Sequence, residues 1–487
     1  MTQLDFSTIL PFTLLVTWAC ALLLIDLFIP KDRKSITALL AALGLALTLG
    51  FTLIQIGQEM TGFNSMVMLD GFSVFVNALL LISGLLGIGL SFGYIKRMNL
   101  ERGEYYTLML FSISGMMLMA QAGDLIVVFL ALELLSIPLY VLAAFDRPKV
   151  ESEEAGLKYF LLGAFATGFI VYGTTLVFGA TGTTSLSGIV SFLGANGSTG
   201  SGGTLLLSIG AALILVGLGF KIAAVPFHMW TPDVYQGSPS AVTAFMASGA
   251  KIAGFAALLR VFATAFPSIA VDMTGVLWAI AALTMILGNL IAISQSNIKR
   301  LLAYSSIAHA GYILMAFVPY GNPDPTIRNT SIAAGLFYLV SYAITNFGTW
   351  GVVIALEKAE GKGLEIRDYA GLGRKYPALA AAMTIFMLSL IGLPPTLGLV
   401  GKFYLFRAVM AGGFTGLAII GVLTSLVSAY YYLRVVVVMY MQEGDPERSR
   451  ESFLDLTTAF TAIATVVISL VPQYLFAWAS SAVLKLF

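Results

Sequence analysis

Apolar runs of about 20 residues, nearly free of charge, recur from one end of the chain to the other. A helix needs ~20 such residues to cross a hydrocarbon core ~30 Å thick. Over continuous runs in lipid only a helix satisfies its own backbone groups, so a β-barrel, written as short alternating segments, is excluded. Composition agrees: 58% of the 487 residues are hydrophobic and 10% charged, against roughly 25% charged in soluble proteins. A soluble enzyme and a disordered chain are both ruled out. The runs place spans at 8–29, 35–57, 70–93, 105–121, 124–145, 157–180, 204–230, 239–263, 273–294, 301–319, 329–356, 376–412, 413–440 and 455–484. The expectation is an all-α polytopic membrane protein of about 14 transmembrane helices.

The basic residues orient this map. Seventeen of the 26, from Lys31 to Arg450, fall in the connections after odd-numbered spans. Only Arg260, Arg328 and Lys485 fall on the opposite side. By the positive-inside rule the rich side faces the cytoplasm, which places both termini on the periplasmic side of an inner (plasma) membrane. The start, MTQLDFSTIL, lacks a basic n-region, so the first run reads as a retained span. The connection 181–203, rich in Thr, Gly and Ser, reads as a flexible solvated loop, and 357–375 as the longest charged one.

Several chemistries are excluded. One cysteine, Cys20, gives neither a disulfide framework nor an iron–sulfur or zinc site. Two histidines far apart make no helical metal motif, and a net charge of +1 argues against nucleic-acid binding. Electron transfer, where the system performs it, belongs to another chain.

The remaining six basic residues lie within spans or near their ends, where an ionisable group costs roughly 2.5–3.5 kcal/mol on insertion scales. Glu133, in VVFLALELLSIPLY, and Lys251, in AFMASGAKIAGFAALL, stand near mid-span, beyond easy snorkelling for a carboxylate. Lys221 precedes Pro226, and a proline frees backbone carbonyls that are then available to a nearby charge. Lys402 follows Pro394 and Pro395, which must interrupt a 376–412 run too long for one span. Discontinuous helices beside buried charges recur at transporter ion sites. Lys158 at the start of its span reads as a snorkelling lysine, and His309 as either a packing residue or a relay station, an imidazole titrating near about 6.5. His228 sits beside the first break with both readings open. Arg407 and Arg434 read as structural or interfacial, and Asp26 as an edge residue.

Burial disfavours a charged lysine and a nearby carboxylate favours it, so a Glu–Lys pair followed by further lysines is a plausible series of coupled proton sites. The set is poor for a sugar, and with one central carboxylate it is a poor sodium cage. The broken helices are the seventh and twelfth, five spans apart. Helices 4–8 (105–263) and 9–13 (264–440) then form two five-helix repeats, the second inverted, after N-terminal helices at 1–104 and before a last helix at 441–487.

Three segments carry a resemblance: GLGFKIAAVPFHMWTPDVYQGSPSAVTAFMASGAKIAGFAALLR, SNIKRLLAYSSIAHAGYILM and LIGLPPTLGLVGKFYLF. Residues 70–440 resemble the antiporter-like membrane subunits of respiratory complex I. The resemblance implies that Glu133 pairs with Lys221, that Lys251 bridges the halves, and that Lys402 is the terminal lysine on the exit side. It further implies that Lys158 modulates the Glu–Lys pair and that His309 lies on the central polar axis. Lysine on both the eighth and twelfth helices, with one span after the core, is similar to one of three paralogous pump types and unlike the M and L types. The implied partners are those M and L types, the small K, J and A types, and the bilayer. NAD, FMN, quinone and Fe–S clusters are expected in partner chains, with no cofactor in this one.

The function this implies is proton translocation driven by quinone reduction elsewhere. The alternatives are a cation/proton antiporter subunit without a redox partner, and a structural spacer whose charges only hold a neighbour.

Overall fold

The computed structural model describes residues 3–30, 33–147, 149–195, 201–266 and 269–483. Lys31 and Lys485, counted above, lie outside the described residues, as does 196–200 of the loop between the sixth and seventh predicted spans. Among the described residues, helices overlap the predicted runs, and eleven are long and apolar enough to cross a membrane. Leu10–Asp26 is shorter, and the 376–412 run divides into Pro377–Ile391 and Leu397–Ala411.

The helices carry almost no polar stripe, because lipid rather than water faces the outer ones. Ser240–Ala265 and Pro325–Leu356 form the buried centre. Val150–Thr181 and Thr415–Met441 expose apolar faces through Phe165 and Leu426.

The connections sort by parity. Asn297 bridges to Glu365, Lys375 pairs with Asp445, and Arg97 at the end of Gly71–Arg97 binds Glu451 at 2.6 Å, all on the side rich in basic residues. On the opposite side Val67 bridges to Ala122, Asp124 to Ser185, and the Tyr320 hydroxyl donates to the Phe262 carbonyl.

Three expectations need correction. The 181–203 connection is not wholly a solvated loop: it contains the helix Leu186–Ala195, with Leu186 and Ile189 buried. The chain is not purely helical, since Met60–Gly62 pairs antiparallel with Val67–Leu69. The last span does not run to 484 as one helix. Pro472 supplies no N–H, so Ser452–Leu470 ends, Val471 leaves helical geometry, and Pro472–Ser481 begins anew. Asp26 stands at the end of its helix, as expected, and is buried there, accepting from Lys34 at 2.6 Å and Thr37 at 2.5 Å.

Arg260, counted from sequence as an outer-side charge, is 1% exposed and inside its helix. It grips Asp70 with two bonds of 2.5 and 2.9 Å, donates to the Ala120 carbonyl at 2.8 and 3.2 Å, and lies over the Phe72 ring. Burial pushes the Asp70 carboxyl up, but Arg260 overrides it and holds the group below its ordinary value. Asp70 also caps Gly71–Arg97, so one ionic cluster ties three helices together.

Candidate functional site

The first break forms as Pro226 requires. Ser201–Ile222 ends one residue after Lys221, Ala223 adopts a left-handed φ of 60°, and Trp230–Gly237 resumes the helix. The carbonyls freed there do not reach Lys221: the Phe220 carbonyl accepts from the Trp230 indole at 3.0 Å. Lys221, buried, donates instead to the Ser136 hydroxyl at 2.8 Å and the Tyr159 hydroxyl at 3.1 Å, with its Nζ 5.2 Å from the Tyr159 ring centre.

Ser136 lies one turn after Glu133 on Leu125–Ala143, so both point from one face. Glu133 accepts from Thr167 at 2.7 Å. It makes no direct ion pair with Lys221 in this conformation, though its field reaches the lysine. A hydroxyl on each side, Thr167 and Ser136, holds the two charges near but apart. The Lys221 stem runs past Gly254, where an added Cβ would stand 3.4 Å from the Lys221 Cγ and 2.9 Å from Ile222 Cγ2.

Lys251 follows a feature that sequence reasoning missed. Met246–Ala250 is a π-turn between Ser240–Phe245 and Lys251–Ala265. No proline marks it; its only hint is the small pair Ser248 and Gly249. Such wide turns cluster at functional sites because they leave backbone groups out of register. The turn is held from outside by Asn346, which donates to Ser248 Oγ at 2.8 Å. Lys251, 1% exposed, donates to the Ser306 carbonyl at 2.5 Å, and Tyr342 donates to the Ser306 hydroxyl at 2.8 Å.

His309 sits one turn beyond Ser306. Its Nδ1 shares a hydrogen bond of 2.8 Å with the Tyr338 hydroxyl and its Nε2 one of 3.3 Å with that of Tyr432, which in turn bonds Ser305. The Tyr342 and Tyr312 rings pack on the imidazole, with centroids 5.3 and 5.6 Å away. The Tyr312 ring also carries Lys402, whose Nζ is 4.5 Å from its centre.

Lys402 occupies the second break. Pro377–Ile391 ends at Gly392 with φ +91°, and Leu397–Ala411 begins after the two prolines. Here the freed carbonyls do serve the lysine, as expected from sequence: Leu390 and Ile391 accept at 3.0 and 2.8 Å. Ser425 accepts at 2.7 Å and donates to the Tyr312 hydroxyl at 3.3 Å. Asn289 donates to that same hydroxyl at 3.3 Å and accepts from Tyr431 at 2.9 Å.

The site residues expected from sequence therefore divide. Lys251, His309 and Lys402 join through Ser306, Tyr342, Tyr338, Tyr312 and Ser425, and Lys221 abuts the Lys251 helix at Gly254. Lys158 stands off this row. It is 40% exposed and pairs with Glu154 at 2.7 Å and Asp233 at 2.8 Å. Burial alone would raise Asp233, but Lys158 and Arg300 override it and hold it below the usual carboxylate range. His228 is half-buried, and its Nδ1 has no partner among the described residues, so it too is off the row.

Serine, tyrosine and histidine side chains both donate and accept, so the bonds of His309 with Tyr338 and Tyr432, and of Ser425 with Tyr312, can each run in either direction, while ring contacts link His309 to Tyr342 and Tyr312. Among the described residues no three His, Cys, Asp or Glu side chains gather to hold a metal.

Residues 122–428 match the family described as "NADH:quinone oxidoreductase/Mrp antiporter, TM". A relative from Trichlorobacter lovleyi, named NADH-quinone oxidoreductase subunit N, is 45% identical over 99% of this chain and 97% of its own. One of the same name from Chloroflexus aggregans is 44% identical over 97% and 96%. A chain of respiratory complex I from Thermus thermophilus superposes with TM-score 0.81 at 36% identity, over 96% of this chain and 99% of that one. A chain of the Mrp complex from Dietzia sp. shares the fold, with TM-score 0.85 at 19% identity over 99% and 97%. The chain belongs to the NADH:quinone oxidoreductase/Mrp antiporter membrane family.

Proposed function

We infer that the chain is a proton-translocating membrane-arm subunit, of the N type, in a quinone-reducing respiratory complex. The observation that carries this reading is the buried row of Lys221, Lys251, His309 and Lys402, each hydrogen-bonded to hydroxyl or carbonyl oxygens, with one carboxylate, Glu133, near Lys221. The subunit N names of the relatives support the complex it would serve. The chain would sit against M- and L-type antiporter-like subunits and the small K, J and A types in the inner membrane. NAD, FMN, Fe–S clusters and quinone would act in partner chains.

The reading includes fourteen spans, with both termini periplasmic and helices 4–8 and 9–13 as inverted units. The contacts between connections of like parity support it. Quinone chemistry elsewhere would alter the field at Glu133. Glu133 leaving the neighbourhood of Lys221 would favour the neutral amine, and the released proton would enter the row. Lys158 and His228 then act at the margins, Lys158 through Asp233.

Replacing Lys221 by alanine tests this. Proton pumping coupled to quinone reduction should fall at least about tenfold, a loss of ~1.4 kcal/mol in driving the step, with the complex fully assembled. Normal coupled turnover would remove Lys221 from the relay. Cation/proton exchange by the chain with no redox supply would favour the exchanger named in its family description.

A further inference from the structure

A cavity of about 530 Å³ opens on the side rich in basic residues, away from the row just described. Connections of odd number build it: Asp146 and Lys149 from one, Ser238 from the next, Lys299 and Glu357 from two more, with Tyr94 between. Most charges on its rim are paired and half-exposed, as a solvated surface allows. Two at its floor are not.

Glu357 is 5% exposed, and its Oε2 is buried with no hydrogen-bond partner among the described residues. Lys299 is 2% exposed and donates to the Ser238 carbonyl at 2.6 Å. The two charges act on each other without forming a salt bridge. Each also stands at the wrong end of a helix. Glu357 follows the last residue of Pro325–Leu356, where the dipole repels an anion, and Lys299 is the second residue of Ile298–Met315, where it repels a cation. A carboxylate kept only for stability would be paired or would sit at an N-terminus. This one is buried, has an unpartnered oxygen and stands against the helix dipole.

Behind Glu357 the polar groups continue inward. The Tyr94 hydroxyl stands beside its carboxylate and accepts from the Ser240 N–H at 3.0 Å. The hydroxyls of Ser238 and Ser240 are buried and without partners among the described residues. Ser240 opens the helix that runs through the π-turn to Lys251, eleven residues and ~16 Å away.

We propose that Glu357 is the carboxylate through which this subunit takes up protons from the basic-side cavity, delivering them along the helix that begins at Ser240 toward Lys251, with Lys299 as its positioning counter-charge. Uptake forms an O–H bond on Glu357 and breaks one in a hydronium ion, releasing water. Delivery reverses that step through water and the serine hydroxyls, and ends with an N–H bond on the neutral amine of Lys251. The inference rests on the proton-translocating reading above.

The test uses the intact complex in sealed vesicles with the basic side outward. A water-soluble carbodiimide with glycine ethyl ester should modify Glu357 in the wild type, or cross-link it to Lys299, as read by peptide mass spectrometry. Modification of the rim residue Glu360 with none at Glu357 would overturn the proposal without any variant. E357Q should then lower pumping about tenfold, a loss of ~1.4 kcal/mol, with K251A lowering it similarly and E357D restoring at least half. E357Q pumping as wild type while K251A fails overturns this uptake site alone. Both variants pumping as wild type overturns the proton-translocating reading itself. An E357Q chain that does not assemble leaves the wild-type labelling to decide.

Discussion

The two helix breaks place a lysine in the same setting and satisfy it by opposite means. At the second, Lys402 takes two backbone carbonyls and Ser425, with a tyrosine ring beneath it. At the first, Lys221 takes no carbonyl, only the hydroxyls of Ser136 and Tyr159, with a carboxylate one turn away. Backbone dipoles at a helix end are fixed, whereas hydroxyls rotate and a carboxylate can move. Lys402 is thus held in a constant field and Lys221 in an adjustable one. On the proton-translocating reading proposed above, the adjustable field suits an input station and the constant one a terminal station.

Glu133→Gln should separate the two most sharply. Among the described residues it removes the one carboxylate acting on Lys221 and leaves the partners of Lys402 in place, so coupled pumping should drop about tenfold, or ~1.4 kcal/mol. Unchanged pumping would mean the first site is as constant as the second.

The glycines come next. Gly392→Ala forces φ +91° on a residue with a Cβ and drives that Cβ to 2.9 Å from Lys402 Cδ, so the backbone cost alone is roughly 1–2 kcal/mol. Gly254→Ala meets Ile222 and Lys221 but carries no φ penalty. Thermal unfolding of the purified complex should show the larger loss at Gly392, and equal losses would contradict the stiffer second site.

Hydroxyl deletions should be asymmetric as well. Ser136→Ala leaves Lys221 with one hydrogen bond, a loss of about 1–3 kcal/mol, whereas Ser425→Ala leaves Lys402 its two carbonyls and costs less. Initial pumping rates of the two variants rank them, and a greater defect for Ser425→Ala reverses the comparison.

The mildest change is Tyr312→Phe. It keeps the ring under Lys402 and removes only the hydroxyl that meets Ser425, Asn289 and Thr424, so the lysine stays seated while pumping slows by about twofold, ~0.4 kcal/mol. A collapse in thermal stability would show that the hydroxyl, not the ring, holds the site.

What was legible in the sequence follows from chemistry that announces itself. Pro226, Pro394 and Pro395 declare both breaks, and a lysine amid apolar residues declares burial. The partners did not declare themselves. Tyr338, Tyr342 and Ser425 are ordinary residues on apolar helices, and their value comes from contacts across long stretches of chain, such as His309 with Tyr432. Spacing offered one unused signal: Tyr338 and Tyr342, four apart, face the same way, as do Ser305, Ser306 and His309. Arg260 misled because its place near the end of a predicted span is equally that of a loop charge; only the fold brings Asp70 to it. Glu357 and Lys299 misled in the same way, as members of charged connections that the fold turns inward.

The π-turn before Lys251 has a consequence for direction. An α-helix turns ~100° per residue, and a π-turn absorbs one extra residue. Everything beyond Met246–Ala250 is therefore out of phase with Ser240–Phe245 by that angle. Were the turn to tighten into regular helix, Lys251 would swing about a quarter of a circle around the axis, off the Ser306 carbonyl, and the same rotation would carry Arg260 off Asp70 and the Ala120 carbonyl. The Arg260 bonds therefore act as a latch on the helix's phase, and through it they fix the direction in which the Lys251 amine points.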